Sequence, residues 1–286
     1  MNLVWLGQPE CHNISVAGGK AANLSRLTAE FPVPPGFCLT TAAFAQWIPD
    51  RDEADLPTEI RDILKNAYQT LAEYCGTEKP KVAVRSSAVN EDGHGASFAG
   101  QYETFLNVTG TEALFKAVAR CRASSLSDRV KAYQGKQGIS EGSPRISVLV
   151  QHLIPADVSA VVFTVNPVTG NPEEIVINAN WGLGESIVGG TVTPDTYVLR
   201  KKDLSITGQN IAGKQRMTVM TEHGTREVPV PGIMSSQPAM SDTQKIETAR
   251  MALSLENKTG WPADIECAWK ADKIFLLQCR PVTVLS

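Results

Sequence analysis

No run of apolar residues in this 286-residue sequence is long enough to span a bilayer. The N-terminus, where Gln8, Pro9 and Glu10 follow closely on Trp5 and Leu6, lacks the basic-then-apolar order of a secretory signal. A cytoplasmic protein with no membrane partner is expected. Nor is one sign of charge in excess: 27 Lys and Arg against 30 Asp and Glu leave a formal net charge of -3. That removes any global field for nucleic acid, so no nucleic-acid partner is expected and an anionic ligand must be met by local cations. The six cysteines (Cys11, Cys38, Cys75, Cys121, Cys267, Cys279) are scattered, with no pair at zinc-site spacing. They read as reduced, mostly buried small hydrophobes. Internal repeats and low-complexity tails are missing too. What remains is 42% hydrophobic and 20% charged, an ordinary globular composition. The length allows a large core, as one two-lobed unit or two small domains.

Along the chain, Leu3 to Leu6 reads as a first strand, and Gly18, Gly19 and Lys20 open a helix through Leu24 and Leu27 that the prolines from Pro32 to Pro35 end. After Pro57 and Thr58, the residues Ile60, Ile63, Leu64, Ala67 and Leu71 recur at helical steps, and Gly76 is placed to stop that helix. A strand at Val82, a glycine-rich loop, a return strand from Tyr102 to Val108 and a helix from Thr111 to Tyr133 follow. From Ile146 the pattern is strand-rich: Ile146 to Val150, Val158 to Thr164, Ile175 to Ala179, Tyr197 to Arg200, and two short strands about His223 and Gly224. Ser241 and Gln244 form an S-x-x-Q capping box for a last helix towards Gly260, and a hairpin closes the chain. Helices mixed with mostly antiparallel strands in two blocks argue for α+β, with lobes over 1–150 and 151–286.

Four stretches have residue types suited to chemistry. The strand Val82, Ala83, Val84, Arg85, Ser86, Ser87 delivers an arginine to its end, and the glycines among Gly93 to Gly100 let backbone N–H groups approach an anion closely. The other reading is a hairpin with a loose tip. Gly18, Gly19 and Lys20 combine a helix N-terminus with an ammonium, a phosphate site by physics. It is not a Walker A loop, because Ala21 replaces the magnesium-binding Ser or Thr; a helix start with a solvated lysine would look the same. A terminal hairpin turning on Asp272 sets Asp264 opposite Arg280 and Glu266 opposite Gln278, all on one face. A carboxylate and an amide oxygen so opposed suit magnesium, unless these residues are only the wet side of the hairpin. Ile265, Cys267, Trp269, Phe275, Leu277 and Cys279 would then form the buried face. The extended backbone of Gln151, His152 and Leu153 offers the N–H and C=O that an adenine edge needs, though an ordinary buried strand reads alike. Gly182, Gly184 and Gly189 miss the dinucleotide-binding spacing. The four histidines lie in unrelated contexts, with His94 in the glycine loop the one worth testing.

Taken in order, Gly18 to Leu24, Val33 to Phe37, Val84 to Ala88, Ser97 to Gln101, Asn166 to Gly170, Trp181 to Glu185, Asp264 to Glu266 and Gln278 to Pro281 resemble the nucleotide-binding domain of the phosphoenolpyruvate synthase and pyruvate phosphate dikinase family, which includes rifampicin phosphotransferase. The resemblance covers nearly the whole chain. It implies a two-lobed ATP-grasp-like fold that clamps Mg-ATP, with cofactors ATP and Mg. It implies cleavage of ATP to AMP and phosphate, the β-phosphoryl passing to a histidine on a separate domain or subunit for delivery to pyruvate or another acceptor. Carried over, Lys20, Arg85 and Arg280 neutralise phosphates, with Arg129 in the phosphate wall. Ser97, Phe98, Ala99 and Gly100 cover the phosphates, and Gln151, His152 and Leu153 face adenine. Glu185 reaches the ribose, and Glu266 and Gln278 hold magnesium with Asp264 close by. Nothing here resembles the family's Thr-x-His-Ala segment. The chain is therefore expected to be an excised domain or a stand-alone subunit partnered by a phosphohistidine-carrying domain and an acceptor-binding domain. A ligase of the ATP-grasp type, forming ADP, and an ATP-sensing module are the alternatives.

Overall fold

The computed structural model describes residues 1–45, 47, 56–89, 103–124 and 145–282. They gather into two compact units, Met1–Leu153 with Glu222–Gly224, and Ile154–Thr221 with Thr225–Ser286. Gln151 to Leu153 thus fall in the first unit rather than the second. The reason is that the strand from Ile146 runs on to His152, paired on both sides.

In the first unit, β1 (Leu3–Trp5), β2 (Gly36–Leu39), β3 (Lys81–Ala88), β4 (Thr104–Thr109) and β5 (Ile146–His152) form one sheet in the order β1-β2-β5-β3-β4. Every neighbouring pair is antiparallel. α1 (Ile14–Leu27) contacts β3 and β5, and α2 (Thr58–Cys75) and α3 (Thr111–Ser124) pack against each other. Ile60, Leu64, Ala67 and Leu71 of α2 are buried against Val82, Val84, Val148 and Val150, which gives the three- and four-residue spacing its physical meaning. Each fully buried aliphatic side chain there contributes about 1.5–3 kcal/mol. Gly76 adopts the left-handed conformation that ends α2. β2 was not expected: Gly36 to Leu39 follow a proline cluster and are buried throughout, so no alternation marks them. The remainder of the helix expected as far as Tyr133 lies outside the described residues.

The second unit holds β6 (Val158–Phe163), β7 (Glu174–Trp181), α4 (Glu185–Val188), β8 (Asp195–Arg200), β9 (Ile206–Asn210), β10 (Arg216–Met220), β11 (Thr225–Pro229), α5 (Gly232–Ser235), α6 (Asp242–Thr259), β12 (Ala263–Lys270) and β13 (Lys273–Pro281). Its main sheet runs β13-β12-β6-β7-β8-β9 and is antiparallel throughout, while β10 and β11 make a separate ribbon. β9, short and mostly polar, is a second strand that the sequence pattern did not reveal. Directly opposed residues share a face of such a sheet. One face therefore carries Ile265, Cys267, Val162, Ala160, Ile177 and Ala179, buried beside α6. The Trp269 indole donates to the Thr248 hydroxyl of α6 at 3.0 Å. The Ser241 capping box at the head of α6 is present in both directions.

A buried ionic clasp lies on the helix-covered side of this unit. Asp195 and Lys214 are both fully buried, with the ammonium 2.6 Å from Asp195 Oδ1. The carboxylate also accepts from the Ala212 and Ala239 N–H groups and from the Tyr197 hydroxyl. Lys245 places its ammonium 4.4 Å from the Tyr197 ring centroid. Four donors on one carboxylate offset much of the cost of burying it.

The terminal hairpin has the expected pairs Asp264 with Arg280 and Glu266 with Gln278. Nearer the turn the register shifts by one, so that Cys267 opposes Leu276, Ala268 opposes Phe275 and Lys270 opposes Lys273. Leu277 is the additional residue of this β-bulge. The bulge corrects the expected buried set: Leu276 is fully buried, whereas Phe275 and Leu277 are only partly covered. Among the described residues, no helix is long and apolar enough to cross a membrane.

Candidate functional site

Within the first unit the functional groups converge where α1 meets β3. α1 is not one regular helix. Gly18 departs from helical geometry at φ 71°, ψ 171°, and a Cβ there would stand 2.1 Å from the Ser87 carbonyl oxygen. Only glycine combines that conformation with so close an approach. The glycine pair thus begins a second helical segment inside α1, rather than the helix as a whole. Lys20, in its first turn, brings its ammonium to 3.5 Å from the Ser86 carbonyl. Strand alternation puts Arg85 on the same face of the sheet as Ser87, whose hydroxyl bonds α1. Lys20 and Arg85 are both partly exposed, so two cations meet solvent near one helix start, an arrangement that binds anions.

Gln151, His152 and Leu153 are differently placed from expectation. The His152 N–H donates to Pro35 O at 2.9 Å and the Leu153 N–H to Lys81 O at 2.8 Å. Gln151 is buried and its side-chain amide donates to Pro34 O. β5 lies between β2 and β3, so these amide donors serve the sheet, which corrects the reading that they present N–H groups to a ligand. Burial holds the His152 imidazole below its ordinary pKa. Ser97, Phe98, Ala99, Gly100, His94 and Arg129 lie outside the described residues.

In the second unit the face opposite α6 carries the polar residues of the hairpin. Asp264 Oδ2 accepts from Arg280 Nε at 2.9 Å and from Nη2 at 2.7 Å. The carboxylate is mostly buried, and that burial raises its pKa; the Arg280 charge and hydrogen bond oppose the rise, and the neighbouring Glu266 charge adds to it. Strand alternation places Glu266 on the same face as Asp264 and Arg280. Opposed to Gln278, Glu266 supplies the hard oxygen donors that magnesium takes, needing few protein ligands when phosphate oxygens complete its shell. Among the described residues no group of three or more His, Cys, Asp or Glu side chains could hold a metal ion by itself. Among the described residues, Glu266, Gln278 and Asp264 are the hairpin's oxygen donors on this face, a set that suits a hard divalent cation.

Sequence reasoning overlooked the continuation of this polar row. Val161 opposes both Glu266 and Asn178, and Ser159 opposes both Ala268 and Asn180, which brings Asn178 and Asn180 to the Glu266 face. The Asn178 side-chain Oδ1 accepts from the Thr196 hydroxyl at 2.9 Å. The alternation Asn178, Ala179, Asn180 inside an apolar strand was the available signal. Glu185 stands at the head of α4, where its carboxylate accepts from the Thr225 hydroxyl at 2.7 Å.

Comparison with known proteins bears on this geometry. A family model described as the pyruvate phosphate dikinase AMP/ATP-binding domain matches residues 52–286. A probable phosphoenolpyruvate synthase of Methanocaldococcus jannaschii is 37% identical over 99% of this chain and 27% of its own length. The phosphoenolpyruvate synthase of Pyrococcus furiosus is 35% identical, over 98% of this chain and 44% of its own. The rifampicin phosphotransferase of Streptomyces sviceus is also 35% identical, over 95% and 35%. The chain thus spans less than half the length of these curated relatives. Among solved structures, the D-alanine–D-alanine ligase of Bacillus anthracis aligns over 97% of this chain and 59% of that one, at 10% identity and a TM-score of 0.38. With a family model matching residues 52–286 and relatives more than a third identical along nearly all of the sequence, the chain belongs to the family of the pyruvate phosphate dikinase AMP/ATP-binding domain.

Proposed function

We propose that this domain, ATP-grasp-like in its two-unit α+β build, binds Mg-ATP and cleaves it to AMP and phosphate, the β-phosphoryl passing to a histidine of a separate domain or subunit. From there it would go to pyruvate or another acceptor bound elsewhere. The observation that carries the reading is the hairpin quartet, in which Arg280 is oriented by Asp264 while Glu266 and Gln278 stand opposed on the same face. In this reading Lys20 and Arg85 neutralise phosphate oxygens in the first unit. In the second unit Arg280 meets phosphate oxygens and Glu185 the ribose. Glu266 and Gln278 hold magnesium, which when bound draws charge from the phosphoryl oxygens.

The reaction class is tested by following labelled ATP with the full chain and a cognate phosphohistidine domain. AMP is the expected product; ADP would instead indicate a carboxylate-activating ligase, and binding without turnover a sensor. The metal assignment has its own test. Glu266→Gln keeps size and removes the charge, so the magnesium concentration needed for ATP binding is expected to rise at least about tenfold, with folding nearly unchanged. Cys267→Ser, on the α6 side of β12, is expected to cost about 1–3 kcal/mol of stability by burying a hydroxyl, with magnesium affinity intact. Equal metal dependence in Glu266→Gln and the parent would overturn the ligand role.

A further inference from the structure

The hydroxyl of Ser87 occupies the break in α1. In a regular helix the Ala21 N–H would donate to the Ala17 carbonyl, one turn back. Here the Ser87 hydroxyl accepts from the Ala21 N–H at 3.2 Å and donates to the Ala17 carbonyl at 2.9 Å. It stands between the two groups that the helical ladder would join directly. A side chain inserted in this way is a recognised cause of helix kinks.

The surroundings hold the arrangement on every side. Ser147, opposite Ser87 on β5, brings its hydroxyl to 2.5 Å from the Ala17 carbonyl and 2.8 Å from the Ser87 carbonyl. The Cys38 thiol reaches the same Ala17 oxygen at 3.6 Å. Gly18 packs against the Ser87 backbone with no room for a Cβ. Ser87 itself has no exposed surface, so it has no direct contact to offer a ligand. Its two bonds go to the residues that bracket Gly18, Gly19 and Lys20, while two residues earlier on the same strand stands Arg85.

We propose that Ser87 is a positioning residue for phosphate binding: by replacing one helical hydrogen bond with a hydroxyl bridge it fixes the Gly18 break and thereby sets where Gly19 and Lys20 stand beside Arg85. This rests on the reading of Lys20 and Arg85 as phosphate-binding groups. Without the bridge, α1 either closes into a regular helix through Gly18 or leaves the Ala17 and Ala21 groups without their shared partner. Both outcomes move the phosphate-facing backbone and leave groups that would contact a nucleoside untouched.

The test is calorimetric binding of Mg-ATP and of adenosine to the full-length parent, Ser87→Ala and Ser87→Cys, with thermal melts of all three. Ser87→Ala is expected to weaken Mg-ATP binding about tenfold, the scale of one lost interior hydrogen bond, while adenosine affinity stays within twofold. Ser87→Cys, a weak donor and acceptor, is expected to fall between. Should the alanine variant fail to fold, the ratio of the two affinities in Ser87→Cys decides. Unchanged Mg-ATP affinity in a folded variant overturns the proposal, as does an equal loss for both ligands, which marks a merely structural role. A parent that binds adenosine but gains nothing from the phosphates would overturn the phosphate reading itself, a result separable from the behaviour of the variants.

Discussion

Asp195→Ala is expected to destabilise the second unit by about 3–5 kcal/mol, the cost of leaving one member of a buried ion pair without the other. Lys214 has no exposed side-chain surface through which its ammonium could find water. The Tyr197 hydroxyl and the Ala212 and Ala239 N–H groups would lose their acceptor at the same time. A loss of that size is a large share of the ~5–15 kcal/mol that separates a folded domain from its unfolded chain. Urea unfolding followed by circular dichroism measures it. The paired replacement Asp195→Leu with Lys214→Met should recover only the share due to the stranded ammonium, because the Tyr197 hydroxyl and the two N–H groups still lack their acceptor. A single variant within about 1 kcal/mol of the parent would show that the pair contributes little.

Lys20→Ala and Arg85→Ala are each expected to slow phosphoryl transfer to a cognate histidine domain by about 10²–10³-fold, the range for removing one preorganised group aimed at developing transition-state charge. Both side chains are partly exposed, so their effect on thermal unfolding should be small by comparison. Transfer rates and melts on the same preparations separate the two roles. Retained transfer together with a large fall in melting temperature would assign both residues to the scaffold instead.

The elements legible in advance were those whose signals are local. Ile60, Leu64, Ala67 and Leu71 announce α2 by spacing, and Ser241 with Gln244 announces the start of α6 by capping chemistry. The pairing of Asp264 with Arg280 and Glu266 with Gln278 was reached by counting from a turn centred on Asp272, but the observed turn lies between Lys270 and Lys273, and the pairs hold because the bulge at Leu277 adds one residue to the count. The Asp195 and Lys214 clasp was not legible, since 19 residues separate the partners and nothing local marks either as buried. β2 was missed for a related reason, being buried on both faces and so without a period-two signature. The backbone donors of His152 and Leu153 looked available because sequence does not show which strand pairs with which; β5 turned out to lie inside the sheet. Lys20 was placed at a helix start by its glycines, yet the break at Gly18 depends on Ser87, 69 positions further on.

The bulge at Leu277 separates two lengths that a simple hairpin would tie together. Between the turn and Cys267 the strands are matched on one count, and beyond Glu266 on another, with Leu277 as the residue that absorbs the difference. A chain without Leu277 could keep all the same opposed pairs in an unbroken ladder, Glu266 still facing the glutamine and Asp264 the arginine. The polar quartet is therefore indifferent to a one-residue change in hairpin length made at that spot, and sensitive to one made elsewhere along β13, where every later side chain would be turned to the other face. Among the residues of this strand, Leu277 is the one whose loss would leave the proposed metal-facing pair in alignment.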